Sequence, residues 1–248
     1  MATSFGALAT DFYINTKLGV KLDLPHARGV VMDFFDRVRK AHPAMSRFRK
    51  YQGELALEAP DREGASSWIA LRKTSVRVGV VNPESLCEAY SLHRLALELA
   101  PFYLSVSPLD VDVMEIVFGF DLEARGNHNQ LVWDAFYANS SLGALLGDDV
   151  DQMLDVQPIV GMTLADAPNT QAFFEVKTRT STRDLRESEP ADEPISVYVT
   201  LRRSGPVDDV RELPAILDNL AKKGEELIET RAVPHLVNPL RDVIASGA

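Results

Sequence analysis

The chain has 248 residues, 46% of them hydrophobic and 25% charged, with a formal net charge of −10. That size can bury one large core or two ordinary ones without covalent staples, and the acidic balance disfavours nucleic acid, whose binding rests on cationic contacts. Cys87 is the one cysteine, which excludes an intramolecular disulfide and a cysteine-built zinc cluster. The first residues lack a basic start and a long apolar run, and no window approaches ~18 consecutive apolar residues. The expectation is therefore no secretory signal, no membrane span and a cytoplasmic protein.

Phe12–Leu24 alternates and is rich in strand-forming residues, so it reads as a strand ended by Pro25. Val30, Val31, Phe34, Phe35, Val38 and Ala41 then form a helical stripe, closed at His42-Pro43. Phe48–Ala59 reads as one strand, followed by strands at Ser67–Lys73 and Ser75–Val81, the latter with Val76, Val78 and Val80 opposite Arg77. Asn82-Pro83 is a helix-start signal with asparagine as the cap. The helix Glu84–Ala100 carries Leu86, Tyr90, His93 and Leu97 on one side and Leu92, Leu95 and Leu99 on another. A helix apolar over so wide an arc is sandwiched in a core or covered by a partner. The three leucines are thus candidate interface residues, and His93 is expected as a buried, hydrogen-bonded core histidine.

Beyond the short connector Pro101–Pro108, Asp110–Glu123 reads as a strand. Gly126-Asn127 then opens a helix whose stripe runs from Leu131 to Leu146. Strands are expected at Val156–Leu164, Gln171–Ser181 and Ile195–Arg203, with a charged loop from Arg183 to Pro194. The last helix buries Leu213, Ile216, Leu217, Leu220, Leu227 and Ile228, is interrupted at Pro234, and is followed by a short helical piece at Pro239–Ile244.

The two halves, 1–104 and 105–248, share a pattern. Leu18-Gly19-Val20 and Val31–Phe35 reappear as Phe118-Gly119-Phe120 and Val132–Phe136, and Ser75–Val78 matches Ser196–Val199. Each half reads β-α-β-β-β-α. The predicted fold is α+β, a tandem duplication with helices packed on one face of antiparallel sheet and the halves joined as one unit. In architecture it resembles the TATA-binding saddle and, more loosely, the repeats of sliding clamps, although neither family's residue motifs occur in the chain.

Chemistry is sparsely signalled. His128, after the cap Asn127, stands at a predicted helix N-terminus, where an anion is favoured. The plainer reading, Asn127 as a simple cap and His128 as an exposed first-turn residue, is preferred. The alternation of 174–181 and of 196–202 places Lys177, Arg179 and Arg202 with Tyr198 on one sheet face. That cluster would suit an anion or nucleic acid, but one aromatic is thin for a stacking platform and a solvated face is the plainer account. Asp148-Asp149-Val150-Asp151 and Asp208-Asp209 lack the glycine and terminal glutamate of a calcium loop. No phosphate loop, nucleophile elbow or zinc-protease motif occurs, so no cofactor, metal or catalytic residue is assigned. Three readings follow. The first is a non-enzymatic binding or assembly module whose partner is another protein or a second copy. The second is a small-molecule protein or enzyme with a pocket between sheet and helices lined by Phe34, Trp133, Phe136 and Tyr137. The third is nucleic-acid binding through Lys177, Arg179 and Arg202.

Overall fold

The architecture follows from which alternate residues each strand buries. Strand β1 (Asp11–Val20) buries Phe12, Ile14, Thr16 and Leu18 and leaves Tyr13, Asn15 and Lys17 partly exposed. Strand β6 (Val111–Leu122) likewise buries Met114, Ile116, Phe118 and Phe120 and leaves Val113, Glu115 and Val117 partly exposed. A strand with this period can cover helices on one side only. In the computed structural model, which describes residues 5–145, 153–180 and 193–247, these strands form the centre of one antiparallel sheet.

The other strands are β2 (Arg47–Tyr51), β3 (Glu54–Glu58), β4 (Ser66–Arg72), β5 (Ser75–Val81), β7 (Ile159–Leu164), β8 (Ala167–Lys177) and β9 (Ile195–Ser204). The nine strands run in the order β2-β3-β4-β5-β1-β6-β9-β8-β7, every neighbour antiparallel. The fold is therefore mixed helix and strand, with a single sheet spanning both halves.

Helices α2 (Leu86–Tyr103) and α4 (Leu213–Leu227) lie side by side over its middle, α2 on β5 and β1, α4 on β6 and β9. Tyr90 donates to Glu225 at 2.7 Å and Arg94 to Asp218 at 2.7 Å between them. Helix α1 (Arg28–Ala41) flanks α2 toward the β2 edge, where the Phe35 and Phe48 rings meet at 5.7 Å. Helix α3 (His128–Phe136) packs with α5 (Asn238–Ser246) near the end of β8. The core between the layers includes Phe5, Phe12 and Phe120, whose ring centroids lie 5.1–6.3 Å apart. Each fully buried phenylalanine contributes roughly 1.5–3 kcal/mol of transfer free energy.

Four local differences from the sequence reading have physical causes. The stretch 48–59 is a hairpin, because Gly53 takes φ +75° and turns the chain between Tyr51 and Glu54. Asn82 does not cap α2, a role taken by Ser85, which accepts from the Glu88 N–H at 3.1 Å. Instead Asn82, at φ +48°, accepts from the Phe12 N–H and donates to Asp11 and to the Gly64 carbonyl, tying β5 to β1. The stripe after Asn127 stops at Phe136 and resumes as a 3-10 turn at Ser141–Leu145. Pro234 does not interrupt the last helix. The backbone winds on from α4 through ten residues of π-helix, Ile228–Val237, into α5. The wider turn accommodates a residue that lacks an N–H and would crowd the carbonyl four residues back.

Candidate functional site

The sheet face away from the helices is left uncovered by the described residues, and three of its aromatic rings are seated in the same way. Trp68 of β4 lies over Gly79 of β5, Tyr13 of β1 over Gly119 of β6, and Phe173 of β8 over Gly161 of β7. A Cβ at Gly161 would stand 2.6 Å from the Phe173 ring, and one at Gly79 or Gly119 closer still to its partner. The glycines are therefore the recesses that let these rings lie flat. We expect Gly119→Ala to lift Tyr13 off the sheet and to lower stability by about 1–3 kcal/mol in urea denaturation, as overpacking typically does.

Cations accompany the rings. Arg77 stands 5.8 Å from the Trp68 centroid, Arg202 5.5 Å from Phe173 and Lys177 5.6 Å from Tyr198. All three also pair with carboxylates: Arg77 with Glu54 at 3.8 Å, Arg202 with Glu115 at 2.6 Å, and Lys177 with Glu175 at 3.4 Å.

Near one end of the face the polar groups form a directed chain. Arg179 donates to the Tyr198 hydroxyl and, at 2.7 Å, to Glu193. The Tyr198 and Tyr13 hydroxyls are 3.1 Å apart, and Tyr13 lies 3.2 Å from Asp121 Oδ1, which also accepts from Ser196 at 2.6 Å. A hydroxyl carries one proton, so the arrangement that satisfies every contact runs Arg179 to Tyr198 to Tyr13 to Asp121. Burial holds the Asp121 carboxyl above its ordinary range, against the hydrogen bonds from Ser196 and Tyr13 and the charge of Arg179. The Tyr13 hydroxyl is raised by burial, by its bond to Tyr198 and by the Asp121 charge. Such a chain fixes both tyrosine hydroxyls and the Asp121 carboxyl in one orientation. Beside it lies a cleft of about 710 Å³ lined by Thr10, Asp11, Asp121, Glu123 and Arg125, with Ile244 of α5 on the helix side.

The structure brings together only part of the sequence-derived cluster. Lys177 and Arg179 do gather on Tyr198. Arg202 does not join them, because the β8–β9 register sets Lys177 opposite Ser196 and Arg202 opposite Gln171. Those pairs lie six steps apart along β9, roughly 20 Å of extended strand. Arg179 itself has left the ladder, at φ +52°.

Asn127 is the cap of α3, accepting from the Asn129 N–H at 3.0 Å and donating to the Met153 carbonyl. His128 is not an exposed first-turn residue. It is fully buried, its Nδ1 3.0 Å from the Thr178 carbonyl and its Nε2 3.2 Å from that of Ala124. Leu92 and Leu99 are buried within the chain and Leu95 packs against the core. The arc that a partner would have covered is covered by α1 on one flank and α4 on the other. Phe34 stands fully buried on α1, in ring contact with Phe35, while Trp133 on α3 packs against Tyr137 at 5.5 Å. His93 is fully buried, with Nδ1 2.6 Å from Thr16 Oγ1.

The aspartates at 148–151 and the charged loop from Arg183 to Asp192 lie outside the described residues. Asp209 caps a 3-10 turn by accepting from the Arg211 N–H. Among the described residues no three His, Cys, Asp or Glu side chains are grouped to hold a metal ion, and no helix is long and apolar enough to cross a membrane. Sequence reasoning missed Tyr13, Asp121, Ser196 and the glycine recesses. Their one signal was strand parity, which puts Tyr13 and Asp121 on the face opposite Phe12 and Phe120. No protein-family model matches the chain, and no curated protein is significantly similar to it.

Proposed function

We propose that this protein is a non-enzymatic binding module whose open sheet face receives a protein partner. The observation that carries the reading is the set of aromatic rings laid on glycines, two of which, Trp68 and Phe173, stand close to an arginine already matched by a carboxylate. Aromatic and arginine side chains are enriched at protein interfaces, and rigid rings lose little entropy on contact. Nucleic acid lacks such support, since Lys177, Arg179 and Arg202 each have a carboxylate within the chain.

The scaffold, in this reading, is a tandem duplication comprising 1–104 and 105–248. Two features favour it. The strand order runs outward from the β1–β6 pair in the same sense on both sides, first strand, last strand, then the inner strands in reverse order, three of them (β4, β3, β2) in the first half and two (β8, β7) in the second. Gly19 and Gly119 also occupy matching places, opposite Val113 and Tyr13, and each makes room for the side chain it faces. The match of Ser75–Val78 with Ser196–Val199 is two residues out of this frame: Asn15 faces Gly79, whereas its counterpart Glu115 faces Arg202 rather than Thr200.

The test is affinity purification of the full chain beside Trp68→Ala and Phe173→Ala. A specific partner retained by the wild type should bind each variant at least ~10-fold more weakly, as loss of an interface anchor does. Unchanged retention by both variants would remove the open face from the account. A second reading, a small-molecule or enzymatic role, draws on the cleft beside Asp121. Native mass spectrometry favours it if the protein carries a reproducible small adduct that Asp121→Asn abolishes.

A further inference from the structure

The two edges of the sheet are built differently. Strand β2, Arg47-Phe-Arg-Lys-Tyr51, carries three cations in five residues and is exposed throughout. Cations placed this way repel a like strand and guard an edge against pairing. Strand β7, Ile159-Val-Gly-Met-Thr-Leu164, has no charge and no proline, and Ile159 and Val160 are 60% and 61% exposed. Among the described residues nothing pairs with its outer side.

The inner ladder fixes which groups face outward. The Val176 N–H donates to the Pro158 carbonyl at 3.0 Å, so Pro158–Val176 is a hydrogen-bonded pair. The antiparallel alternation then turns Val160 and Met162 inward to β8 and leaves the N–H and C=O of Ile159, Gly161 and Thr163 pointing out.

We infer that β7 is a self-association edge, on which a second copy of this chain adds its own β7 antiparallel. The strand is complementary to itself in a way that β2 is not. With Gly161 opposite Gly161 of the second copy, Ile159 faces Thr163 and Thr163 faces Ile159, and all the outward amide groups are satisfied. On the helix side exposed Val160 meets Met162, so no charge opposes a like charge anywhere along the pair. Pairing β2 with β2 would set arginine and lysine against one another. A second copy therefore fits this edge without any partner of different sequence. The twofold axis of such a pair is perpendicular to the sheet, so both open faces lie on the same side and form one surface of double length. The surface used differs from the open face, and the two proposals fail separately.

Light scattering on the eluting full-length protein, from about 1 to 200 µM, tests this across the range where an edge-strand contact associates. The expected mass rises to twice the 27.4 kDa of the chain. Thr163→Pro deletes one outward N–H, and Val160→Lys places a charge on the edge. Neither touches an inward hydrogen bond, and each should return the mass to one chain while far-UV dichroism stays unchanged. If one variant fails to fold, the other decides. Lys50→Ala on β2 and Trp68→Ala on the open face should leave the doubled mass intact. A wild-type monomer throughout the range overturns the inference. So does a doubled mass that survives in the folded variants, or a mass increase that comes only from a different protein.

Discussion

Asn129→Ala should be the most damaging single substitution in α3, lowering stability by about 4 kcal/mol, or roughly a thousandfold in the folding equilibrium. The side chain is fully buried and uses both ends. Its Oδ1 accepts from the Val156 N–H at 2.9 Å and the Thr178 hydroxyl at 2.8 Å, and its Nδ2 donates to the Leu154 carbonyl at 3.1 Å. Alanine leaves two donors and one acceptor unpartnered, each at a cost of about 1–3 kcal/mol, with some relief where water reaches them. Asn127→Ala, which removes the α3 cap and its bond to the Met153 carbonyl, should cost less, about 2 kcal/mol. Urea denaturation of the two variants supplies the comparison. Similar small losses in both would show that Asn129 is not what binds α3 to residues 154–156 and the end of β8. The same bond bears on the open face, since Arg179, the head of the hydrogen-bond chain, directly follows Thr178.

The second large effect is on acid stability and centres on His93. Burial pushes this imidazole down from 6.5 to about 3, with Nδ1 on Thr16 and Nε2 without a partner among the described residues. Above pH 6.5 the ring is neutral both folded and unfolded, and it adds no pH dependence. As pH falls below 6.5 the unfolded chain takes a proton that the folded protein refuses. Stability is then lost at about 1.4 kcal/mol per pH unit until pH approaches 3, which amounts to about 3 kcal/mol by pH 4.5. His93→Leu forfeits the Thr16 bond and should be somewhat less stable at pH 7, but its stability should fall less steeply with acid. The raised carboxyl of Asp121 acts in the opposite sense and is common to both proteins. Equal slopes for wild type and variant between pH 7 and 4.5 would exclude His93 as the source.

What could be read from the sequence was set by neighbours close along the chain. The alternation of Phe12, Ile14 and Leu18 and the stripe Val31, Phe34, Phe35, Val38 declare a strand and a helix because burial imposes periods of 2 and 3.6. What escaped depends on residues distant in sequence. Leu92, Leu95 and Leu99 looked unpartnered because α4, which helps to enclose α2, comes more than a hundred residues later. His128 looked exposed after Gly126-Asn127 because the carbonyl that receives it belongs to Thr178. For Arg202 the face was right and the register wrong, since parity says which side a residue takes but not which residue it meets. The chain from Arg179 to Asp121 needed two registers at once, β1 on β6 and β6 on β9.

The strand order also constrains the route by which the chain folds. β1 is made first, yet it is completed only when β6, about a hundred residues later, lies along it. β9 is made last and sits between β6 and the β7–β8 hairpin. On a ribosome the β2–β5 meander can form early, but β1 has no second neighbour until β6 emerges. The β7–β8 hairpin then waits for β9 before it can join the sheet. Closure of such distant pairs slows folding and prolongs the life of open edges. A truncation ending before Ile195 should therefore keep the first five strands and leave the β7–β8 hairpin undocked.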